Sequence, residues 1–367
     1  MRAASIPRLS LLVASVAVSA CGRADLHATV EDLGVVPQSS AIQGRDGGCS
    51  GLAFGHSVWT FGDTVLNMQD AEGTNWHHNS FSITDDLDGR DGVGGFTEPT
   101  DAKGAPLYFI SPTVDEAKFN ADHRGEECAV APCGARFAVW PGPPIWDEAR
   151  NRALVFYGLI YAEPGDFNFR GVGQSVAVWD DFAAGPQRPE VASGAAHPTM
   201  LFAEGEPGWG AGAAIDGDDV YAFECGARGG SACSLAKVPA DSVLDRAAWR
   251  YFDGDAWISD MDERATLFDG APSMGVAFNK HLGAWTVIYA EPLSNDVVLR
   301  TAPELSGPWS DAALLFVANK PDGSAYDANV HRELEEDGGR VMYVTFSRSN
   351  GQGWFGSEFD LVRVTLP

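Results

Sequence analysis

The segment Gly51-Leu-Ala-Phe-Gly-His-Ser-Val-Trp-Thr-Phe-Gly-Asp63 decides the fold of this 367-residue chain. A short apolar run is followed by a turn and then by an aromatic run that ends in a carboxylate, which is the pattern of a β-hairpin. Similar hairpins recur, and turns such as Asp216-Gly-Asp-Asp219 contain the residues that tolerate a positive φ. The further hairpins lie at 144–163, 213–224, 275–291 and 329–348.

Each hairpin is followed by another strand-like run, so that each unit contains about four strands. Radial repetition of four-stranded sheets is the β-propeller solution to exposed sheet edges. The sequence therefore predicts an all-β chain with a single five-bladed β-propeller of four-stranded antiparallel blades over residues 41–367. A β-sandwich is the alternative, but it does not predict similar hairpin ends. The additional strands are expected at 80–84, 175–179, 234–238, 297–301 and 361–365.

The spacing between the first two hairpins is longer than the other spacings. The excess lies at about 85–135, in a segment rich in Gly and Asp. We interpret it as an inserted loop that covers one face of the propeller.

The N-terminal residues 1–21 are typical of an export signal. Two arginines precede the apolar run at 9–20, which is too short to span a bilayer comfortably. The run ends in Val18-Ser-Ala-Cys21, and small residues before a cysteine resemble the lipobox of bacterial lipoproteins. Cys21 is therefore the predicted lipidation site. The alternative is a conventional signal peptide in which Cys21 is incidental.

A lipid on Cys21 predicts a protein of the bacterial cell envelope, on the outer membrane or the cell surface. Residues 22–40 are then expected to form a tether. Membrane attachment is predicted through the lipid alone, because no later run reaches transmembrane length.

The charge balance bears on the partners of the protein. Lys and Arg number 25 against 51 for Asp and Glu, giving a net charge of −26. A protein that binds phosphates must supply cations on one face, so nucleic acid is excluded as a partner. The acidic surface has a simpler interpretation in solubility, and a monomer is expected.

The cysteines are interpreted in the light of export. In an oxidising compartment, close cysteine pairs are more often disulfides than metal ligands. We predict the disulfides Cys128–Cys133 and Cys225–Cys233, with Cys49 unpaired and buried. No CxxC motif occurs, so no metal site is predicted.

Four segments resemble the five-bladed propeller glycoside hydrolases, and the chain is most similar to the domain of unknown function 4185 family. The segments are Gly44-Arg-Asp-Gly-Gly48, Val58-Trp-Thr-Phe-Gly-Asp-Thr64, His78-Asn-Ser80 and Ser306-Gly-Pro-Trp309. The resemblance covers residues of about 40–365. It implies a hydrolase that cleaves glycosidic bonds in a polysaccharide, and because some members are endo-D-arabinanases it points to arabinofuranose-containing glycans.

Glycoside hydrolysis needs one carboxyl group that donates a proton and a second that acts as base or nucleophile. In a propeller the first strand of a blade begins, and its second strand ends, on the same face, so acids at these positions converge. We interpret Asp46 as base or nucleophile and Asp63 as its partner or second catalytic acid. Glu224 and Glu291 are weaker candidates for the proton donor. A turn aspartate is the alternative for Asp46, and an Asx turn is the alternative for Asp63.

The predicted substrate-binding residues surround the same face. Trp76 is expected to stack on a sugar ring while His78 and Asn79 hold hydroxyl groups, the alternative being a turn with one packed Trp. Asp327 opens the first strand of the fifth blade.

Two further residues of the fifth blade are candidates for substrate binding. His331 faces the axis for substrate, for a structural cation, or, as we favour, as a hydrogen-bonded core histidine. Arg348 either lowers the pKa of a catalytic acid or bridges two blades. No cofactor is predicted, with a structural calcium ion left open.

Other functions fit the same pattern. The protein is alternatively a non-catalytic glycan-binding propeller, in which the carboxylates are calcium or hydroxyl ligands, or an interaction propeller with a degenerate site. A Ser-His-Asp hydrolase is disfavoured because the sequence contains no GxSxG motif.

Overall fold

A computed structural model describes residues 24–226, 231–320, 325, 327–351 and 356–367. The predicted export signal and Cys21 lie outside the described residues. The first strand is β1 (Thr29–Val35). Blade I contains β2 (Ile42–Ala53), β3 (His56–Leu66), β4 (Trp76–His77) and β5 (Ser80–Thr84). The helix α1 (Val114–Asp122) follows.

The remaining strands follow in chain order. Blade II contains β6 (Arg136–Asp147), β7 (Arg152–Ala162), β8 (Phe169–Trp179) and β9 (Phe202–Ala203). Blade III contains β10 (Gly212–Asp216), β11 (Asp219–Cys225), β12 (Ala232–Pro239), β13 (Arg250–Phe252), β14 (Trp257–Ile258) and β15 (Phe268–Asp269). Blade IV contains β16 (Gly275–Asn279), β17 (Ala284–Ala290), β18 (Asp296–Ala302) and β19 (Ala313–Val317). Blade V contains β20 (Asn329–Val330), β21 (Val341–Ser349) and β22 (Ser357–Thr365). Short 3-10 turns lie at Glu148–Arg150, Ala240–Ser242, Arg246–Ala248, Met261–Glu263 and Arg332–Leu334.

The prediction of a five-bladed propeller is confirmed. Five antiparallel sheets are present, four of them four-stranded and the third expanded to six strands. The predicted hairpins form β2–β3, β6–β7, β10–β11, β16–β17 and β20–β21. The strands expected after them lie in β5, β8, β12, β18 and β22. A β-sandwich is excluded by this arrangement.

The core is divided into apolar layers between neighbouring blades. Trp59 and Tyr343 lie in the layer between blades I and V, and Trp179 lies in the layer between blades I and II. Phe223 and Val287 join blades III and IV. Because each layer belongs to two sheets, burial of these side chains stabilises the ring as a whole rather than a single blade.

The innermost strands approach closely near the propeller axis. A β-carbon on Gly51 would overlap the backbone carbonyl of Pro144, and one on Gly275 would overlap the side chain of Val330. Glycine at these two positions therefore permits the blades to close around the axis.

The segment predicted as a tether is part of the propeller. Strand β1 pairs with β22 and forms the outer strand of blade V. Before it, the Leu26 N–H donates to the carbonyl of Leu314 on β19 (3.1 Å), and the Leu314 N–H donates to Ala24 (2.8 Å). The prediction of a tether over 22–40 is therefore wrong for the strand and for residues 24–26. The physical reason is that β1 covers the exposed edge of β22.

The inserted segment at 85–135 packs against blades I and II. Phe109 and Ile110 lie in the apolar layer between these blades. Helix α1 begins with a capping box between Thr113 and Glu116. The Glu116 carboxylate forms a buried ion pair with Arg188 of blade II, at 2.5 Å.

Both predicted disulfides are confirmed, Cys128–Cys133 within the insertion and Cys225–Cys233 between β11 and β12. Cys49 is free and buried, as predicted. In the described ranges, helices long and apolar enough to cross a membrane are absent.

Candidate active site

A β-bulge in blade I brings Asp46 and Asp63 together. Arg45 pairs with Thr64 and Gly47 pairs with Phe61, so Asp46 alone faces the two residues Gly62 and Asp63. Such a bulge bends the strand and re-aims a side chain. The bulge lies where β2 begins and β3 ends, at the end of the propeller axis that we call the mouth.

Glycines at the bulge permit this geometry. Gly47 and Gly48 have φ values of +80° and +101°, which side chains with a β-carbon rarely adopt. A β-carbon added to Gly62 would lie 3.7 Å from the Asp46 Cβ. The Gly-rich segment after Asp46 is therefore needed for the backbone path that presents this carboxylate at the mouth.

Asp63 is the partly buried member of the pair. Burial raises its pKa to about 6, and the nearby charge of Asp46 adds to the rise. Interactions with Trp76, Arg136 and Trp140 oppose it. The Trp140 Nε1 donates to the Asp63 Oδ1 at 3.4 Å. Asp63 therefore holds a proton under mildly acidic conditions, whereas the Asp46 side chain is exposed to solvent.

Asp327 places a third carboxyl group at the mouth. It lies just before β20, is 3% exposed, and accepts hydrogen bonds from the Ser347 backbone N–H (3.1 Å) and hydroxyl (2.9 Å). Burial raises its pKa to about 6, Lys320 opposes the rise and Asp46 increases it. Asp46 therefore lies near enough to both Asp63 and Asp327 for its charge to act on each of them.

The two oxygens of Asp327 have different surroundings. Oδ1 is held by Ser347, while the buried Oδ2 receives no hydrogen bond from the part of the chain that the structure describes. A buried oxygen in this state is suited to accept a hydrogen bond from a ligand hydroxyl.

Trp76 lies beside Asp63, as expected for a residue of the mouth. Arg136, at the start of β6, stacks on the Trp76 ring with its guanidinium carbon 4.8 Å from the ring centroid. Arg136 and Trp140 were missed by sequence reasoning, which began the first strand of blade II at residue 144. The apolar residues at 137–140 were the available signal for a longer strand.

The prediction that His78 and Asn79 bind substrate is wrong: the Asn79 amide is held by hydrogen bonds to the protein, and the His78 ring is buried and stacked on Tyr108. The Asn79 Oδ1 accepts from the backbone N–H groups of Phe109 (2.8 Å) and Ile110 (3.1 Å), and its Nδ2 donates to the carbonyl of Val139 (3.0 Å). The His78 Nδ1 accepts from the Val139 N–H at 3.1 Å. Burial lowers the pKa of His78 to about 3, so its ring is neutral.

Replacement of Asn79 by alanine is expected to lower the free energy of unfolding by about 3 to 5 kcal/mol, because it leaves several buried backbone groups without partners. Urea unfolding measures this change. Asn67→Ala removes an exposed amide that bonds to Ser40 and Ile42, and it should cost less than about 1 kcal/mol. Equal losses in the two variants would contradict the structural role of Asn79.

His331 is a hydrogen-bonded core residue, as favoured. Its Nδ1 lies 2.6 Å from the Ser50 hydroxyl and its Nε2 lies 2.8 Å from Thr345 Oγ1. Trp59 stacks on the ring at 4.0 Å between centroids. Burial lowers the pKa of His331 to about 3. Substrate binding by His331 is therefore excluded by its satisfied contacts.

Glu224 lies at the end of β11, in a buried ion pair. Its Oε1 accepts from the Arg264 Nε at 2.9 Å, and the two side chains are 2% and 5% exposed. This pairing favours a structural role over proton donation. Glu291 lies in the turn after β17, where its backbone N–H donates to Asp296 (2.9 Å), and its catalytic role stays a prediction.

Arg348 pairs with residues of the neighbouring strand β22. Its Nε lies 2.9 Å from Glu358 and its Nη1 lies 3.1 Å from Asp360. These contacts join two strands of blade V, and among the described residues Arg348 shows neither the predicted pairing with a catalytic acid nor a bridge between blades.

Over the described ranges, no three His, Cys, Asp or Glu side chains form a group that could hold a metal ion. A structural calcium ion is therefore without a candidate site in this part of the chain.

Comparison with known proteins agrees with the fold. The model of the domain of unknown function 4185 (DUF4185) matches residues 175–354. No protein with a curated function matches the sequence. A candidate hydrolase from Bacteroides ovatus superposes with a TM-score of 0.56 and 15% identity, covering 89% of this chain and 87% of that one. A family 117 glycoside hydrolase from the marine bacterium Zobellia galactanivorans superposes with a TM-score of 0.51 and 10% identity, covering 93% and 91% of the two chains.

The protein thus has a glycoside hydrolase-like propeller fold. The family match begins in β8 and ends after β21 of blade V, and it does not include the blade I segments that carry Asp46 and Asp63. The roles of these two residues therefore rest on the geometry of the mouth. Residues 175–354, slightly less than half of the chain, are similar to the domain of unknown function 4185 family.

Proposed function

We propose that this protein is a glycoside hydrolase that cleaves a polysaccharide, with arabinofuranose-containing glycans as the first substrates to test. One observation carries the proposal: Asp46 and Asp63 face each other across a bulge at the mouth, one exposed and one partly buried. Two carboxyl groups whose environments differ in this way are suited to separate roles as acid and base. The propeller fold shared with a family 117 glycoside hydrolase supports the same function.

In this proposal Asp63 is the general acid. It donates its proton to the glycosidic oxygen as the bond from that oxygen to the anomeric carbon breaks, and the leaving sugar departs as a neutral alcohol. Asp46 is the base that takes a proton from the attacking water, or the nucleophile that attacks the anomeric carbon before water releases the sugar. One water is consumed in either case. When Asp46 is the base, the proton that it takes up is lost to solvent and Asp63 regains one from solvent; when Asp46 is the nucleophile, Asp63 takes its proton back from the water that releases the sugar.

The other groups at the mouth orient the sugar. The Asp327 Oδ2 accepts a hydrogen bond from a sugar hydroxyl, and Trp76 offers a ring face for stacking. Arg136 keeps a positive charge near Asp63, which limits the rise in the pKa of that residue. The acid therefore releases its proton more readily than burial alone would allow.

The proposed acid predicts a pH dependence. The pKa of Asp63 is about 6, so kcat/KM should fall as the pH rises through about 6 and the donor loses its proton. Trp140→Phe removes an N–H group that favours the ionised form of Asp63, so the pKa of Asp63 should rise. The alkaline limb of the profile of kcat/KM against pH should then move to higher pH. Trp257→Phe, in blade III, is the matched control and should leave the limb unchanged. A limb that stays in place in Trp140→Phe would argue against Asp63 as the acid.

We also propose that the chain is exported and anchored by a lipid on Cys21. The backbone at residues 24–26 is hydrogen-bonded along β19, and Cys21 precedes Asp25 by four residues in the sequence. Such an anchor would hold the rim of blades IV and V close to a membrane. Mass spectrometry of the protein purified from membranes tests this, and Cys21→Ala should release the protein from the membrane fraction.

Release of reducing ends from a panel of polysaccharides tests the proposed activity. The full chain is incubated with arabinans and other neutral glycans near pH 5, where the proposed acid holds its proton. Catalytic release from at least one glycan is expected. Binding of a glycan without turnover would contradict the hydrolase and support the non-catalytic glycan-binding propeller instead.

A further inference from the structure

Blade II rises above the mouth as a wall beside the carboxyl groups. The hairpin strands β6 and β7 have 12 and 11 residues, as do β2 and β3 of blade I, whereas those of blades III and IV have 5 and 7. The additional pairs run from Arg136 opposite Ala162 to Trp140 opposite Gly158. They extend the hairpin beyond Pro144, which packs against Gly51 near the axis, toward the mouth.

Aromatic side chains cover this wall. Trp140 contacts Asp63 through its indole N–H, and its ring lies 5.2 Å from that of Phe169 in an edge-to-face arrangement. Phe169 is 48% exposed, and Phe167 in the loop between β7 and β8 is 86% exposed. Trp140 and Phe169, together with Phe167, which precedes Phe169 by two residues in the chain, are what we call the aromatic platform.

Two features of the platform are unfavourable for the free protein. An aromatic side chain as exposed as Phe167 leaves apolar surface in water. Phe167 also has a φ of +55°, a conformation that is rare for bulky residues and is found most often at functional sites. A ligand that covers the Phe167 ring would offset the free-energy cost of exposing this apolar surface to water.

The surroundings of the platform fit a sugar rather than a wholly apolar partner. Arg136 lies opposite Ala162, and Ala162 lies opposite Phe169, so the Arg136 side chain is on the same face of the hairpin as the Phe169 ring. Aromatic faces framed by charged groups suit sugar rings, which present apolar C–H faces and polar hydroxyl edges. The platform is continuous with the candidate acid, so its occupant is part of the same glycan chain.

We propose that the aromatic platform binds the sugar residues next to the cleaved bond, and that the substrate is therefore a glycan chain of several residues rather than a single terminal sugar. This inference rests on the proposed glycosidase function. In this inference Phe167 and Phe169 make the protein select long substrate chains. The carboxyl groups cleave the glycosidic bond. Long chains gain contacts at the platform that short ones cannot reach.

The test compares chain lengths. Six-residue and three-residue oligosaccharides are prepared from the glycan that the wild-type protein degrades. In Phe167→Ala/Phe169→Ala, kcat/KM on the hexasaccharide should fall about tenfold, mainly through KM, and the fall on the trisaccharide should be smaller. Phe278→Ala is the matched control, since Phe278 is 42% exposed at the opposite end of the axis, and it should change neither value. Equal effects on both oligosaccharides, or none, would overturn the inference.

A binding measurement separates this inference from the proposed activity. Calorimetric titration of the hexasaccharide into Asp46→Asn, with and without the two phenylalanine changes, should show about tenfold weaker binding when both rings are removed. Unchanged affinity would refute the platform even if the wild-type protein is an active hydrolase. If the wild-type protein cleaves none of the panel glycans, the same titration is made with arabinan fragments. In that case ring-dependent binding would support the platform while the hydrolase proposal fails, and an absence of binding would overturn both.

Discussion

Replacing Asp63 with asparagine is expected to lower kcat on the best glycan substrate by about 10²- to 10⁴-fold, the range that a positioned general acid contributes. The amide cannot deliver a proton to the leaving oxygen. Asp46→Asn should produce a loss of at least the same size, because no carboxylate is then present to deprotonate the attacking water or to attack the anomeric carbon itself. Initial rates of reducing-end release at the optimal pH measure both changes.

The same variant has a second expected effect, on stability. Burial raises the pKa of Asp63 from 3.8 to about 6, so the folded state loses stability as the pH rises through this window. At 1.36 kcal/mol per pKa unit, the full rise corresponds to about 3 kcal/mol. Asp63→Asn should therefore be more stable than wild type above pH 6 and similar to it near pH 4. Asp255→Asn, on the exposed surface of blade III, is the control and should alter neither rate nor stability. A less stable Asp63→Asn at pH 8 would show that this carboxyl serves the fold.

Glu224→Gln is expected to destabilise the protein by about 3 to 5 kcal/mol while the folded fraction keeps its rate. The change leaves the Arg264 guanidinium buried without its counter-charge, and breaking a buried ion pair from one side costs about this much. Urea unfolding gives the free energy of unfolding. The rate constant kcat is measured without urea, at a temperature well below the thermal unfolding transition.

Glu263→Gln is the matched control for this change, because Glu263 is exposed and lies next to Arg264 in the chain. Its effect on stability should stay within about 0.5 kcal/mol. A 100-fold fall in kcat for Glu224→Gln at wild-type stability would instead make Glu224 the proton donor, which the sequence allowed.

The parts of the fold that could be predicted are local in the sequence. Each hairpin, such as 51–63, contains both of its strands and its turn, so apolar alternation and turn residues are enough to find it. The disulfide Cys225–Cys233 closes one such hairpin and was predictable for the same reason. The blade number then followed from counting similar units.

The parts that could not be predicted depend on distant partners. Asn79 looked like a surface residue able to bind a hydroxyl, but its hydrogen-bond partners lie 30 to 60 residues away in the insertion and in blade II. Strand β1 looked like a tether because its partner β22 is at the other end of the chain. Patterns within a short stretch of the sequence do not reveal contacts with residues this far away in the chain.

The candidate site shows the same division. Asp46 and Asp63 were identified because they lie in one blade and match the family segments, and residues of one blade converge through contacts that are local in the sequence. The bulge that places Asp46 opposite Asp63 was not predicted, although the sequence shows the glycines around Asp46. The register of a strand depends on how it aligns with its partner, and the glycines alone do not give that alignment. Trp140 and Arg136 come from the neighbouring blade and needed the folded ring to reach Asp63.

A double-mutant comparison of Asp46 and Asp63 tests the central claim most directly. The rates of Asp46→Asn, Asp63→Asn and the double variant are measured on the same glycan as the wild type, after each variant is shown to be folded. We predict that each single variant loses at least about 10²-fold and that the double variant is only a few-fold slower than the slower single one, because two groups acting on one bond fail together. A wild-type rate in either single variant would contradict catalysis by this pair at the mouth of the propeller.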